Sequence, residues 1–433
     1  MREAAALRDA AVAGTGAFEI VRSLTVEVGP RSAGSEGDKA AVAWGLATLT
    51  RLGFANVHAE PVKVPHWERG AANGWVVSPR RQPVALLALG GSVGTPESGL
   101  EAPVVRAESL AALNAMDPAA VSGRIVFLDV RMQRTPDITG YANAVPARGL
   151  GWAAASKKGA VALLLRSIGT DGDRLAHTGG QRPDESARRI PSAALSNPDA
   201  DLLAEMLAAG GAVTFHLQLG ARDLPPEDSA NVVGEIPGSE LPQEVVLLGA
   251  HLDSWDPGTG ALDDGAGVAI VVEAARRIAS LPRHPRRTVR VVLFANEEFG
   301  LSGARAYAEA HKDELGRIAV AAEADLGADP VRRLSGRVPP GGQPALAALG
   351  ELLRPLGVER NPQEGDGGAD LSVLAGVPVV ALEQDASHYF DVHHTANDTL
   401  DKIDRQNLDK VVAAFTAFAY VAAQAPQGFR GAN

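Results

Sequence analysis

The stretch at residues 247–267, LLGAHLDSWDPGTGALDDGAG, concentrates side chains that can hold a metal. An apolar run reads as a buried strand and ends at His251 and Asp253; a glycine-rich loop then leads to Asp263 and Asp264, where a helical pattern begins. A histidine offers a neutral nitrogen ligand, and a carboxylate two positions on can hold its other ring nitrogen. Asp263 stands where a carboxylate can bridge two cations. The plainer alternative is a strand, a loop and a helix with a capping aspartate.

Three further strand patterns end in the same kinds of residue. TVRVVLFA (288–295) runs into Asn296, Glu297 and Glu298; IAVAAEAD (318–325) closes on Glu323 and Asp325. PVVALEQ (378–384) is followed by a loop carrying His388, Tyr389, His393 and His394. The chain has no cysteine, so any metal must be held by imidazoles and carboxylates, which suit Zn(II). Five protein ligands exceed what one tetrahedral zinc with an open position accepts. They fit two zincs roughly 3.5–4 Å apart sharing a carboxylate. Adjacent Glu297 and Glu298 repel unless a cation or proton lies between them, and one can coordinate while the other serves water as general base. Each also has an ordinary reading, as a helix start favoured by the macrodipole or as loop imidazoles.

The elements that must position these residues alternate. Strand patterns at 231–238, 244–251, 288–295, 318–325 and 378–384 are separated by helical patterns at 265–280, 301–312 and 343–357, and a long helix at 404–425 finishes the chain. This predicts an α/β fold, a mostly parallel mixed sheet with helices on both faces, whose ligands sit beyond the carboxyl ends of the strands. Residues 1–28 read as one or two helices, Ser35 as a cap for a helix through Leu52, and 56–70 and 83–91 as strands. Between SVGTPESG and ARDLPPEDSA the texture changes to short strands and helices with no metal-binding constellation. We therefore expect a discontinuous catalytic domain, 1–95 and 222–433, interrupted by an inserted α/β domain at 96–221.

At 433 residues, two domains are the default expectation, and 45% hydrophobic residues supply ample core. A formal charge of -11 argues against nucleic acid or an anionic membrane as partner, and no apolar run spans a bilayer. The opening MREAAALRDAAVAG is charged at once and lacks the apolar centre of a signal peptide, so the expected states are a cytosolic protein or a chain that starts after a removed leader.

The series HLD, ALDDGAG, NEEFG, EADLG and HHTANDT resembles the co-catalytic di-zinc exopeptidases, the family of bacterial leucyl aminopeptidases and glutamate carboxypeptidases. PHWERG, GTP and the HTG at 177–179 also sit where one branch of that family would place them, so the resemblance extends to that branch. It covers nearly the whole chain. The resemblance implies that His251 and Asp325 bind one zinc, that Glu298 and His394 bind the other, and that Asp263 bridges them. It makes Glu297 the general base and Asp253 the residue that orients His251, and it implies a cis Asp263–Asp264 peptide. Spacing alone leaves His393 and His394 both open; the resemblance favours His394, because the family's pattern puts Thr or Ser next and Asp-Thr shortly after, as at Thr395 and Asp398-Thr399. Tyr389 is a candidate oxyanion donor or a packed aromatic; His393, His177 and Arg166 are candidate substrate contacts. The insert is expected to be protease-associated-like, shaping the substrate site rather than performing chemistry. The implied activity is hydrolysis of dipeptides or short unblocked peptides, with a broader aminopeptidase or an amidase for N-acyl amino acids as the alternative. A peptide substrate, a secreted or periplasmic location and a homodimer complete the expectations. A ligand-stripped receptor or a single-zinc cyclase is disfavoured, because all five ligands and the base are present.

Overall fold

Four neighbouring parallel strands bring their carboxyl ends to one edge of a sheet, and that edge carries the reactive residues. The computed structural model describes residues 1–426 and 428–430. Its chain divides into two compact units: Met1–Val64, Pro226–Tyr389 and Asp398–Asn433 form the first, and Pro65–Pro225 with Phe390–Asn397 the second.

In the first unit, Ser35 caps α1 (Glu36–Arg51) by accepting from the Asp38 amide at 3.2 Å. The strands are β1 (Ala55–Glu68), β2 (Arg222–Ile236), β3 (Leu241–His251), β4 (Arg287–Phe294), β5 (Ile318–Glu323), β6 (Val331–Arg337), β7 (Glu359–Arg360) and β8 (Val379–Gln384). Their order is β1-β2-β4-β3-β5-β8-β6-β7. The central β4, β3, β5 and β8 run parallel, with His251 beside Phe294 and Gly249 beside Glu323, while β2 and β6 join antiparallel at the two sides. The sheet is mixed with a parallel centre. The centre of β3 is apolar on both sides because helices cover both faces. Val245 and Leu247 pack with Phe294, Ala304, Tyr307 and Leu371, which brings in α3 (Ser302–Ala310). On the opposite face lie α2 (Ala266–Ala279) and α4 (Arg405–Gln424), the latter burying Phe415 and Phe418 completely. Among the described residues no helix is long and apolar enough to cross a membrane.

The second unit has its own mixed sheet, in the order 82–83, 72–78, 214–219, 100–107, 125–128, 162–166, 192–195, 86–88. Strands 100–107, 125–128, 162–166 and 192–195 are parallel; the others pair antiparallel. The sequence puts the first junction at 95/96, but the strands at 72–78, 82–83 and 86–88 pair inside this sheet, so the unit begins at Pro65. The segment 390–397 joins the same unit through contacts that its own sequence does not announce.

Candidate metal centre and active site

His251, the last residue of β3, is 1% exposed. Its Nδ1 lies 3.1 Å from the Asp253 carbonyl and its Nε2 lies 3.1 Å from Asp263 Oδ1 and 3.4 Å from Asp325 Oδ1. A proton on Nδ1 for the carbonyl leaves Nε2 facing the two carboxylates, where it can bind a metal once it gives up its own proton. The Asp253 carboxylate turns to the next strand end, accepting from the Glu297 and Glu298 amides at 3.0 and 3.4 Å. Those amides follow Asn296, whose φ of 56° is left-handed, a conformation asparagine tolerates better than most residues. Trp255 Nε1 donates to Glu298 Oε2 at 2.6 Å.

The loop between His251 and Asp263 is gripped from two directions. Arg31 is fully buried and donates to the carbonyls of Leu252 (2.7 Å), Thr259 (2.7 Å) and Gly260 (3.0 Å), as well as Gly29 (3.1 Å). Asp398 accepts from the amides of Leu262 and Asp263 at 2.6 and 3.2 Å. The Asp263–Asp264 peptide is cis. Asp264 accepts from the His251 and Gly267 amides, and a Cβ on Gly267 would lie 2.2 Å from its carboxylate, so that position needs glycine.

Burial dominates the electrostatics. It raises the Glu297 carboxyl well above the ordinary range, with Glu298 adding to the effect, and it raises Asp264 and Asp370 likewise. Asp398 is pushed up to about 7 and Glu323 to about 8, in both cases first by burial. Burial would lower the His251 imidazolium, but Asp325 and the surrounding carboxylates outweigh it and hold it well above normal. Tyr389 is raised well above 10 by burial and by Asp263, and so stays protonated. Asp370 is fully buried and, among the described residues, has no hydrogen-bond partner on either oxygen, beside Glu323, which accepts from the Asp370 and Leu371 amides. Anions this crowded lack positive charge, and divalent cations supply it.

The donor set fits zinc. Ligand atoms of His251, Asp263 and Asp325 lie within 4.8 Å of one another, as do those of His251, Glu297 and Glu298. These are oxygen and imidazole donors, as a cysteine-free chain must use. Sequence reasoning overlooked Arg31, Trp255 and Asp370, and it used Asp398 only to locate its neighbour. Position within the HTANDT motif was signal enough to single out Asp398. An arginine among small turn residues gives no hint that it will be buried.

The remaining candidates lie in the second unit. His393 and His394 stack at 3.5 Å, and His394 has a φ of 63°. His394 Nδ1 is 3.2 Å from the Thr178 carbonyl and 3.5 Å from an Arg148 nitrogen. The shorter contact, to an obligate acceptor, places the proton on Nδ1 and the lone pair on Nε2. Arg166 is buried in an ion pair with Asp129 (2.5 Å) and also bonds the Asn197 carbonyl. His177 is buried between Asp171 and the His393 carbonyl, the latter at 2.7 Å. Both side chains are thus engaged within their unit.

The chain also resembles known proteins over most of its length. The model of peptidase family M28 matches residues 231–419. Mouse carboxypeptidase Q is 37% identical over 94% of this chain and 85% of its own length. The crystal structure of a peptidase M28 precursor from Shewanella amazonensis SB2B is 47% identical, with a TM-score of 0.97, over 100% of this chain and 98% of that one. A zinc aminopeptidase from Bacillus subtilis shares the fold at 20% identity, with a TM-score of 0.65 over 96% and 97% of the two chains. On the strength of these near full-length matches, the chain belongs to peptidase family M28.

Proposed function

We propose that this M28 peptidase is a zinc-dependent exopeptidase that holds two zinc ions and hydrolyses dipeptides or other short unblocked peptides. The observation that carries the reading is the convergence of His251, Asp263 and Asp325 around one imidazole nitrogen, at 3.1 and 3.4 Å. Asp263 is assigned as the bridge, His251 and Asp325 as ligands on one side, and Glu298 and His394 on the other. Bound zinc supplies the Lewis acidity that acidifies a water and polarises the scissile carbonyl.

The chain's own residues do the rest. Glu297 takes a proton from the attacking water and returns it to the departing amine. Asp253 holds the Glu297 and Glu298 backbone and the His251 ring in one arrangement, so base and ligands share a reference. Tyr389, kept protonated, is assigned as donor to the oxyanion that develops on the carbonyl. Residues 96–221 are assigned a protease-associated-like role, and the protein a secreted or periplasmic location as a homodimer.

The deciding experiment is product analysis of the zinc-loaded protein on free, N-blocked and C-amidated dipeptides, with a chelated sample alongside. Cleavage of free dipeptides, tolerance of neither block and loss of turnover on chelation are expected. Tolerance of the C-terminal amide would move the assignment to an aminopeptidase, and cleavage of N-acyl amino acids alone to an amidase. No cleavage of any peptide by the loaded protein would end the exopeptidase reading.

A further inference from the structure

The second unit holds one of the proposed zinc ligands in place. We propose that His177 is a positioning residue for His394, and thereby sets the affinity of the zinc that His394 is assigned to hold. This rests on the ligand assignment of His394 above.

The segment 390–397 is fastened along its length by residues 134–178 of the same unit. Thr170 donates its amide to the Phe390 carbonyl at 3.0 Å and its hydroxyl to Asp391 at 2.8 Å. Arg134 forks onto the Asp391 carboxylate. Tyr141 stacks on Phe390 with ring centres 4.8 Å apart, and His393 sits edge-on to both rings. At the far end, Asn397 donates to Asp173 at 3.2 Å. Between these anchors lies the pair of histidines.

There the grip is tightest. His177 Nδ1 donates to the His393 carbonyl at 2.7 Å while its Nε2 meets the Asp171 carboxylate. The His177 amide donates to Ser167 Oγ at 2.8 Å, which fixes the other end of the residue. The Thr178 amide donates to the His394 carbonyl at 3.0 Å, and the Thr178 carbonyl faces His394 Nδ1 at 3.2 Å. Consecutive residues of one short stretch therefore fix the backbone on each side of His394 and the tautomer of its ring. A Cβ at Gly169 would lie 2.2–2.5 Å from the His177 ring, so the ring approaches backbone where only glycine leaves room.

His394 has a φ of 63°, a left-handed conformation uncommon for any residue with a side chain, although histidine adopts it more readily than most. Residues in such regions persist only where their surroundings over-determine them. Partners that orient a metal-binding histidine typically change metal affinity 10–100-fold when removed. Freed from the His177 hydrogen bond, the loop relaxes toward ordinary dihedrals and carries the imidazole out of register.

Zinc stoichiometry and competition against a chelator in the full-length protein test this. His394→Ala should lose one zinc. His177→Ala should keep one zinc at wild-type affinity and weaken the second roughly 10–100-fold. His177→Asn, whose amide nitrogen reproduces the Nδ1 donor, should recover most of that loss, while His177→Gln should not. Should His177→Ala fail to fold, the Asn and Gln variants decide by themselves. Equal affinities in the two, or two normally held zincs in a folded His177→Ala, would overturn the inference while leaving the ligand assignment intact. Two tightly held zincs in His394→Ala would instead remove that assignment, and this inference with it.

Discussion

Two ionic clusters in the first unit are built from similar residues and end in opposite states. In one, Glu60 accepts from His311 at 2.8 Å and His58 at 3.3 Å, and Arg290 joins Glu235 at 2.7 Å and the Tyr307 hydroxyl at 2.9 Å. There the groups are driven toward charge. The hydrogen bond to Glu60 raises His311; Arg290 is raised by Tyr307 and Glu235 against burial; and His311 keeps Glu60 low although burial opposes it. In the other cluster, around His251, the carboxyls of Asp264, Glu297, Glu323 and Asp370 are all driven toward neutrality. Among the described residues His251 and Arg31 are buried cations of this cluster, and Arg31 spends its hydrogen bonds on carbonyls. The first cluster balances its own charge and is structural. The second is short of positive charge, as a centre for divalent ions should be.

The largest effect expected from breaking this contrast is at Glu297, the proposed base. Glu297→Gln should lower kcat/KM by about 10²–10⁴-fold with both zincs retained, measured by steady-state kinetics and metal analysis. A variant with near-normal activity would remove Glu297 from the chemistry.

A smaller effect is expected at Arg31. Arg31→Met leaves several buried carbonyls of the 252–260 loop without donors, at about 1–3 kcal/mol for each group left unsatisfied. It should lower the melting temperature and weaken zinc binding together. Arg31→Lys keeps the charge but cannot reach all the carbonyls, and should fall between the two. If Arg31→Lys matched wild type in both readouts, charge alone would be the role of this residue.

The smallest effect belongs to the balanced cluster. His311 is held above its ordinary value of 6.5, so its stabilisation is complete below that pH and fades as pH climbs through the raised value. Glu60 is held below 4.5, so its share is present above that pH and lost in acid. The pair is at full strength between those limits. His311→Gln should lower the melting temperature by roughly 2 °C near pH 6 and less by pH 9, with zinc content and turnover unchanged. A change in turnover would mean that the two clusters are coupled.

Strands such as VVLLGAH and VVLFA were legible because buried parallel strands are continuous apolar runs, and ligands at their ends break the run abruptly. The strand Val331–Arg337, VRRLSGR, was not: three arginines, a serine and a glycine carry no strand pattern, and pairing beside Val379–Gln384 makes it one. The junction at Pro65 escaped for a related reason. The strand Ala55–Glu68 continues without interruption across that point, so composition does not change where the contacts do.

The sequence by itself determined the chemistry on offer: no cysteine, carboxylates and imidazoles at the ends of apolar strands, and hence oxygen and nitrogen donors for a divalent metal. Tertiary structure decided what those side chains lean on. The burial of Arg31 against the 252–260 loop, Asp398 beneath the Asp263 amide, and the seating of 390–397 on residues 134–178 are contacts between positions far apart in the chain. Local residue patterns reflect local dihedrals and the side of an element that is buried. They hold no record of which distant carbonyl a buried donor will meet, because that pairing exists only once the chain has folded.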